Sequence, residues 1–244
     1  MARVLRHLVE APRACSYLPG TTATLEHRVM IDVTAPELGS LLEHGWRRFG
    51  PDYFRPACPS CSACRPTRIV VSGFAPTKSQ RRARRKAEGL RVTVGPPGVD
   101  DERLELYHRW HRDREAAREW DASELDARTY ALQFAFPHPS SREVAFHDDE
   151  AGGRLIGVGI CDEAPDAWSL VYFFYDPAYA ERSLGVANVV LGVEIAAARG
   201  IPYVYLGYAV EACASLRYKT AFHPREELEG WPELAEAPRW VPVG

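Results

Sequence analysis

Long apolar runs are missing from this 244-residue chain: no stretch approaches the ~18 residues needed to cross a bilayer. Nor do residues 1–20 show a cationic stretch followed by an apolar run and a cleavage site, so the expectation is a cytoplasmic protein with no membrane partner. Internal repeats and low-complexity tracts are absent as well, and Gly and Pro are unexceptional, which excludes fibrous and disordered classes. What remains, 46% hydrophobic and 26% charged residues, leaves room for one large α/β domain or two small ones. Cysteines number only six; under reducing conditions they point to a metal, a catalytic role or simple burial rather than to a disulfide framework.

The net charge of −3 conceals an asymmetry. Residues 1–90 hold 15 Lys and Arg against 7 Asp and Glu, and residues 91–244 hold 15 against 26, so a +8 segment precedes a −11 segment. A polyanion meeting the first part, and a different partner or none meeting the rest, would fit that split.

Periodicity predicts a helix over 35–44, with Pro36 near its first position, Leu38, Leu41 and Leu42 on one face and Gly45 as a stop. A loop rich in Cys, Pro and Arg follows over 54–66, then an apolar strand over 67–71 that leads into a basic run at 78–86. Residues 87–100 read as a strand with a turn-rich exit and the best place for a boundary, dividing the chain into a basic, cysteine-bearing region 1–95 and a catalytic domain 96–244. A helix is expected over 100–120, from an acidic start at Asp100, Asp101 and Glu102. Strands over 155–161 and 168–175 suit a hairpin with a loop of five or six residues, and a helix over 184–199 leads to a strand over 202–206. A hairpin feeding a β-loop-α-β unit makes the fold class α/β and fits the core of a GNAT-like acyltransferase.

Four patterns carry chemistry. Lys78, Arg81, Arg82, Arg84, Arg85 and Lys86 place six cations in nine residues; like charges three and four apart repel on a helix face, whereas a phosphate backbone relieves the repulsion. Cys58, Cys61 and Cys64 have a C-x2-C-x2-C spacing that brings three thiolates within reach of one soft centre, iron–sulfur or zinc, with Cys15 as the candidate fourth ligand; a reduced, packed loop is the competing reading. Arg182, Ser183, Gly185 and Ala187 match R-x-x-G-x-A, a strand-to-helix turn whose backbone N–H groups can receive an anion. Tyrosines crowd residues 172–175 and 203–208, and with Asp176 and Glu211 nearby they would make a polar mouth. His108 and His111 read as helix surface or packing.

At this point several blocks resemble, in order, those of the bacterial aspartate/glutamate leucyltransferases, relatives of the eukaryotic arginyl-tRNA–protein transferases. The blocks are Cys15-Ser16-Tyr17-Leu18-Pro19-Gly20, Gly45-Trp46-Arg47-Arg48-Phe49-Gly50, Phe54-Arg55-Pro56-Ala57-Cys58-Pro59, Ser79-Gln80-Arg81-Arg82, residues 172–177, Ser183-Leu184-Gly185, and residues 203–208 with Tyr218-Lys219. The resemblance spans about Cys15 to Trp231. It implies transfer of an amino acid from charged tRNA to an N-terminal Asp or Glu of an acceptor protein, within the N-degron pathway of protein degradation. Two departures, Ala209 where the family has an aromatic and Val186-Ala187-Asn188 where it has Thr-Tyr-Ser, leave the donor open between leucine and arginine, with leucine favoured.

Transfer from an activated ester needs alignment, deprotonation and oxyanion stabilisation, and no cofactor. On this reading Lys78, Arg81, Arg82, Arg84, Arg85 and Arg182 hold tRNA phosphates, Ser183 and Gly185 receive the aminoacylated end, and Asp176 or Glu211, with Tyr208, handles the amine. Arg28, Arg65 and Arg68 are candidates to grip the acceptor's side-chain carboxylate. A coenzyme A-dependent N-acetyltransferase of the same fold and a non-catalytic, metal-bearing nucleic-acid-binding module are the rivals.

Overall fold

The computed structural model describes residues 1–118 and 125–244. In chain order the elements are β1 (Arg3–Val9), β2 (Arg13–Ala14), β3 (Thr22–Ala23), β4 (Leu25–Ile31), α1 (Ala35–Glu43), β5 (Arg47–Phe49), β6 (Asp52–Pro56), β7 (Arg65–Val70), α2 (Lys78–Lys86) and β8 (Arg91–Gly95). They continue with α3 (Asp101–Arg118), α4 (Ala127–Phe134), β9 (Ser141–Asp148), β10 (Arg154–Ala164), β11 (Ala167–Tyr175), α5 (Leu184–Ala198), β12 (Tyr203–Ala209), β13 (Arg225–Leu228) and β14 (Trp240–Val243). The expected end of the third helix, at Trp120, lies outside the described residues. No helix among them is long and apolar enough to cross a membrane.

The chain is a mixed α/β protein built on an eight-stranded sheet ordered β14-β13-β7-β12-β11-β10-β9-β8. Its pairs are antiparallel except for β11 and β12, which α5 connects in parallel. Every residue of β10 but Arg154 and Glu163 is buried, because helices cover both faces of this central strand. On one face Ile156, Trp168 and Val204 pack with Val190 of α5; on the other Leu155, Val158 and Phe174 pack with Leu106 and Tyr107 of α3 and Tyr130 of α4. A two-residue connection, Pro165-Asp166, closes the β10–β11 hairpin, tighter than the five or six residues expected because both strands extend past their apolar cores.

A smaller sheet, β1-β4-β6-β5, carries the N-terminal residues, and α1 packs its Leu38, Leu41 and Leu42 beneath it around Trp46 and Tyr53. Thr34 and Glu37 cap α1 reciprocally, satisfying two of the N–H groups a helix start leaves open. The expected division at 95/96 falls between β8 and α3, and strands from both sides share the large sheet, with β7 lying between β13 and β12. The buried Arg48–Asp162 ion pair further ties β5 to β10.

The basic run is a helix, and tertiary contacts offset the repulsion between its like charges. Thr77 and Gln80 form a capping box, Gln80 and Ala83 are buried, and Arg84 pairs with Glu194 of α5 at 2.9 Å. Arg84, Arg85 and Lys86 also sit in the last turn, where cations favour the helix dipole.

Candidate active site

β11 and β12 run in parallel register only over 167–169 and 203–205, and beyond that point they part. A cleft of ≈ 640 Å³ opens there, lined by Leu170 and Tyr172 of β11, Leu206 and Gly207 of β12, and Gly185 and Val186 at the start of α5. Strands that separate expose backbone and side chains that a continuous ladder would cover. A splayed parallel pair beside a helix N-terminus is therefore a natural place for a ligand.

Charge in the cleft is of one sign. Arg47 is 8% exposed, donates to Ser169 Oγ at 2.6 Å and to the Leu170 carbonyl, and has no carboxylate within ion-pair distance among the described residues. Burial pulls its pKa below the ordinary arginine value. Lys219 donates to the Tyr208 carbonyl at 3.0 Å, and burial together with the nearby Arg47 guanidinium lowers its pKa to about 7. At the mouth, Arg114 donates to Tyr175 Oη at 3.1 Å, and the Trp110 indole N–H has no partner among the described residues. Arg48 also reaches the lining, but Asp162, Ser141 and the Gly50 carbonyl occupy its guanidinium. No Asp or Glu lines the cleft among the described residues. Taking a cation out of water costs several kcal/mol unless an anion compensates, a cost that an incoming carboxylate or phosphate beside Arg47 and Lys219 would reduce.

The residues expected from sequence fall in several places. Asp176 is 4% exposed and committed elsewhere: it pairs with Arg154 and with Arg109 at 3.5 Å, and caps the turn that follows β11 by accepting from Ala178 N–H. Glu211 is exposed in the turn after β12 and does not line the cleft. Tyr208 does line it, with its hydroxyl already donating to the Gly45 and Phe54 carbonyls and its pKa raised by burial.

Arg28 and Arg68 are already paired, Arg28 with Glu26 over the Trp46 ring and Arg68 with Glu226 against Tyr203 and Trp240. Arg65 opens β7 on the surface, and none of the three lines the cleft. The cleft cations Arg47 and Lys219 sit inside blocks that are visible in the sequence, but nothing in composition or spacing separates them from their basic neighbours.

Gly185 reaches the cleft, whereas Ser183 holds φ of 55° as the N-cap of α5 and Arg182 packs over Tyr179. On α2, Lys78, Arg81, Arg82, Arg85 and Lys86 are exposed along the flank of α5. Arg81 and Lys86 donate to backbone carbonyls of Pro76 and Glu181.

Cys15, Cys58, Cys61 and Cys64 line one small pocket of ≈ 80 Å³, whose walls Tyr17, Phe54 and Tyr208 are shared with the cleft. Thiols from two loops thus share the lining of one pocket. Burial and the neighbouring Cys15, Cys58 and Cys61 push the Cys64 thiol up to about 12, a crowding that a cation would reverse. As placed, no three His, Cys, Asp or Glu side chains among the described residues form a group that could hold a metal ion. All six cysteines are free.

The cleft is lined by cations and by the start of α5 at Gly185 and Val186. Residues 13–82 and 102–229 match the two parts of one family, described as the N terminus and the C terminus of arginine-tRNA-protein transferase. The chain is 37% identical over 241 residues to an aspartate/glutamate leucyltransferase of Polynucleobacter necessarius, covering 94% of this chain and 93% of the relative. It is 31% identical over 229 residues to one of Helicobacter hepaticus, covering 93% and 94%. A solved structure of FemX is similar at a TM-score of 0.44 and 9% identity, over 76% of this chain and 63% of that one, a distance at which likeness carries no argument. The chain belongs to the arginine-tRNA-protein transferase family. It is an enzyme of aminoacyl transfer from tRNA to protein, as the sequence blocks implied.

Proposed function

We propose that this enzyme moves leucine from leucyl-tRNA to the α-amine of proteins that begin with Asp or Glu, on a GNAT-like core, and so marks them for degradation. The observation that carries this reading is the lining of the cleft: the buried Arg47 and half-buried Lys219, with no carboxylate among the described residues that line it. An acidic acceptor side chain meets its counter-charges there, while an arginyl donor would meet like charge and no partner. Leucyltransferase relatives at 31–37% identity support the same choice.

In this reading the exposed cations of α2 hold tRNA phosphates, and the start of α5 at Gly185 receives the aminoacylated 3′ end. Arg47 and Lys219 clamp the acceptor's side-chain carboxylate, which places its α-amine for attack on the ester. Asp176 and Glu211 stand outside the chemistry. Cys15, Cys58, Cys61 and Cys64 would hold an iron–sulfur cluster or zinc that stiffens the Tyr17 and Tyr208 wall from behind; metal near stoichiometric amounts after anaerobic purification tests this part. The main experiment is incubation with mixed charged tRNAs and an Asp-initiated peptide, followed by mass measurement. A single added leucyl residue supports the reading, and no aminoacyl addition overturns it.

A further inference from the structure

Tyr172 lines the cleft half-buried, and its hydroxyl meets Nε2 of His111, on α3, at 3.0 Å. On the other side of the imidazole, Nδ1 stands 3.7 Å from Oε1 of Glu115, one turn further along the helix. A carboxylate, an imidazole and a phenol thus form a line from α3 into the cleft. The rings are fixed: Tyr107 stacks on His111 with centroids 4.0 Å apart, and Phe134 of α4 stacks on Tyr172 at 5.3 Å. Packing alone requires neither the imidazole nor the phenol, since Leu and Phe would fill the same space. The expectation that His111 serves surface or packing leaves this alignment unexplained.

The carboxylate beside Nδ1 selects the tautomer with the proton on that nitrogen, which leaves Nε2 to accept from Tyr172. Resting on the aminoacyl-transfer reading above, we propose that Tyr172 is the catalytic residue that shuttles the proton of the attacking amine to the departing ribose oxygen, with His111 and Glu115 as its positioning residues. The acceptor's α-ammonium first releases one proton to solvent. The free amine then attacks the ester carbonyl, and as the C–N bond forms the nitrogen's surplus proton passes to Tyr172 Oη while the phenol's own proton passes to His111 Nε2. When the C–O bond to the terminal ribose breaks, the two transfers run in reverse and the ribose oxygen takes the proton. The enzyme ends as it began, and the imidazolium formed in between lies beside the Glu115 carboxylate.

Burial, aided by His108, holds the His111 pKa below its ordinary value against the pull of Glu115, so the imidazole is neutral and able to accept near pH 7. Among the described residues, the titratable groups facing it are Tyr107, His108 and Glu115 from α3 and Tyr172 from β11.

The test is steady-state leucine transfer to an Asp-initiated peptide by the wild-type enzyme, Tyr172→Phe and His111→Gln across the neutral pH range, with melting temperature and tRNA affinity measured for each. Tyr172→Phe is expected to lower kcat by about 10²–10³-fold, with KM and melting temperature close to wild type, as removal of a general acid–base group does. His111→Gln is expected to lower kcat less and to abolish the acid limb of its pH profile. If the wild type transfers leucine while Tyr172→Phe keeps its rate and His111→Gln keeps its pH profile, the relay is wrong and the function stands. A fall in kcat matched by a fall in stability or tRNA affinity assigns the rings to packing and also overturns the relay. If the wild type itself transfers no amino acid, the underlying reading fails instead.

Discussion

Gly207 lies against Arg47 so closely that a Cβ on the glycine would stand 3.3 Å from the Arg47 Nε, and its φ of 78° is one that side chains resist. The missing side chain lets β12 bend away from β11 while Arg47 fills the fork between them. Gly207→Ala should therefore strain the backbone by roughly 1–2 kcal/mol and displace the guanidinium. Denaturation would show the loss of stability, and kinetics should show a raised KM for Asp-initiated peptides with the tRNA KM unchanged.

Lys219 links pH to both binding and stability, in opposite directions. Its folded pKa of about 7 lies below the ordinary 10.5, so between these values the unfolded chain binds a proton that the folded one does not, and stability rises with pH. Below the folded pKa the penalty is fully present and no longer changes. Acceptor affinity should move the other way, weakening as pH rises through 7 and the ammonium loses its charge. Lys219→Met should flatten both profiles, as read from urea midpoints and peptide KM over roughly pH 6–11, a window of about five units that brackets the shift.

Exposure on α2 separates cations free to meet phosphate from one already engaged. Arg84 is half-buried against Glu194, whereas Lys78, Arg82 and Arg85 are exposed on the same helix. Replacing those three with Ala should reduce the slope of log K against log salt for tRNA by roughly 2–3, since each phosphate contact contributes about 0.7–0.9. Acceptor KM should not change. Equal salt slopes for the triple variant and wild type would make α2 a solvated face.

Asp176 and Glu211 should behave differently from each other, and neither as a base. Asp176→Asn leaves the buried end of the Arg109–Asp176–Arg154 group without its negative charge, and breaking a buried pair costs about 3–5 kcal/mol. The partly exposed arginines reduce that, so the expected loss is on the order of 1–3 kcal/mol in chemical denaturation, with the pH profile of kcat preserved. Glu211→Gln, on an exposed turn, should leave stability and kcat as they are.

The elements with strong periodicity were legible. Leu38, Leu41 and Leu42 marked α1, the apolar run before Gly200 marked α5, and the β-branched and aromatic residues around Pro165-Asp166 marked the hairpin. The small sheet was not, because β1 alternates cations with Val4, Leu5 and Val9 on an edge that is mostly exposed, a pattern without a buried face to read. That the basic run forms a helix was not legible either, because repulsion between its arginines is visible in sequence while the Gln80 and Ala83 contacts that offset it are tertiary. The cleft was hidden for the same reason. Arg47 and Lys219 are 172 positions apart, and Asp176, adjacent in sequence to the cleft strand, turns away to its own arginines.

Donor choice can be decided by direct competition. An arginyl group in the cleft would bring its guanidinium near Arg47 and Lys219, with no lining carboxylate among the described residues to receive it. At a separation of about 8 Å and an effective dielectric of ~20, one like charge costs ~2 kcal/mol, or roughly thirtyfold in binding. A leucyl side chain meets Leu170, Val186, Val189 and Leu206 instead, at no electrostatic cost. With leucyl-tRNA and arginyl-tRNA at equal concentration, an Asp-initiated peptide should therefore gain leucine over arginine by at least about tenfold. The preference should narrow in Arg47→Met, because the penalty on the rival donor is electrostatic rather than steric. Equal incorporation by the wild type, or a preference that is unmoved in Arg47→Met, would show that the cleft cations do not choose the donor.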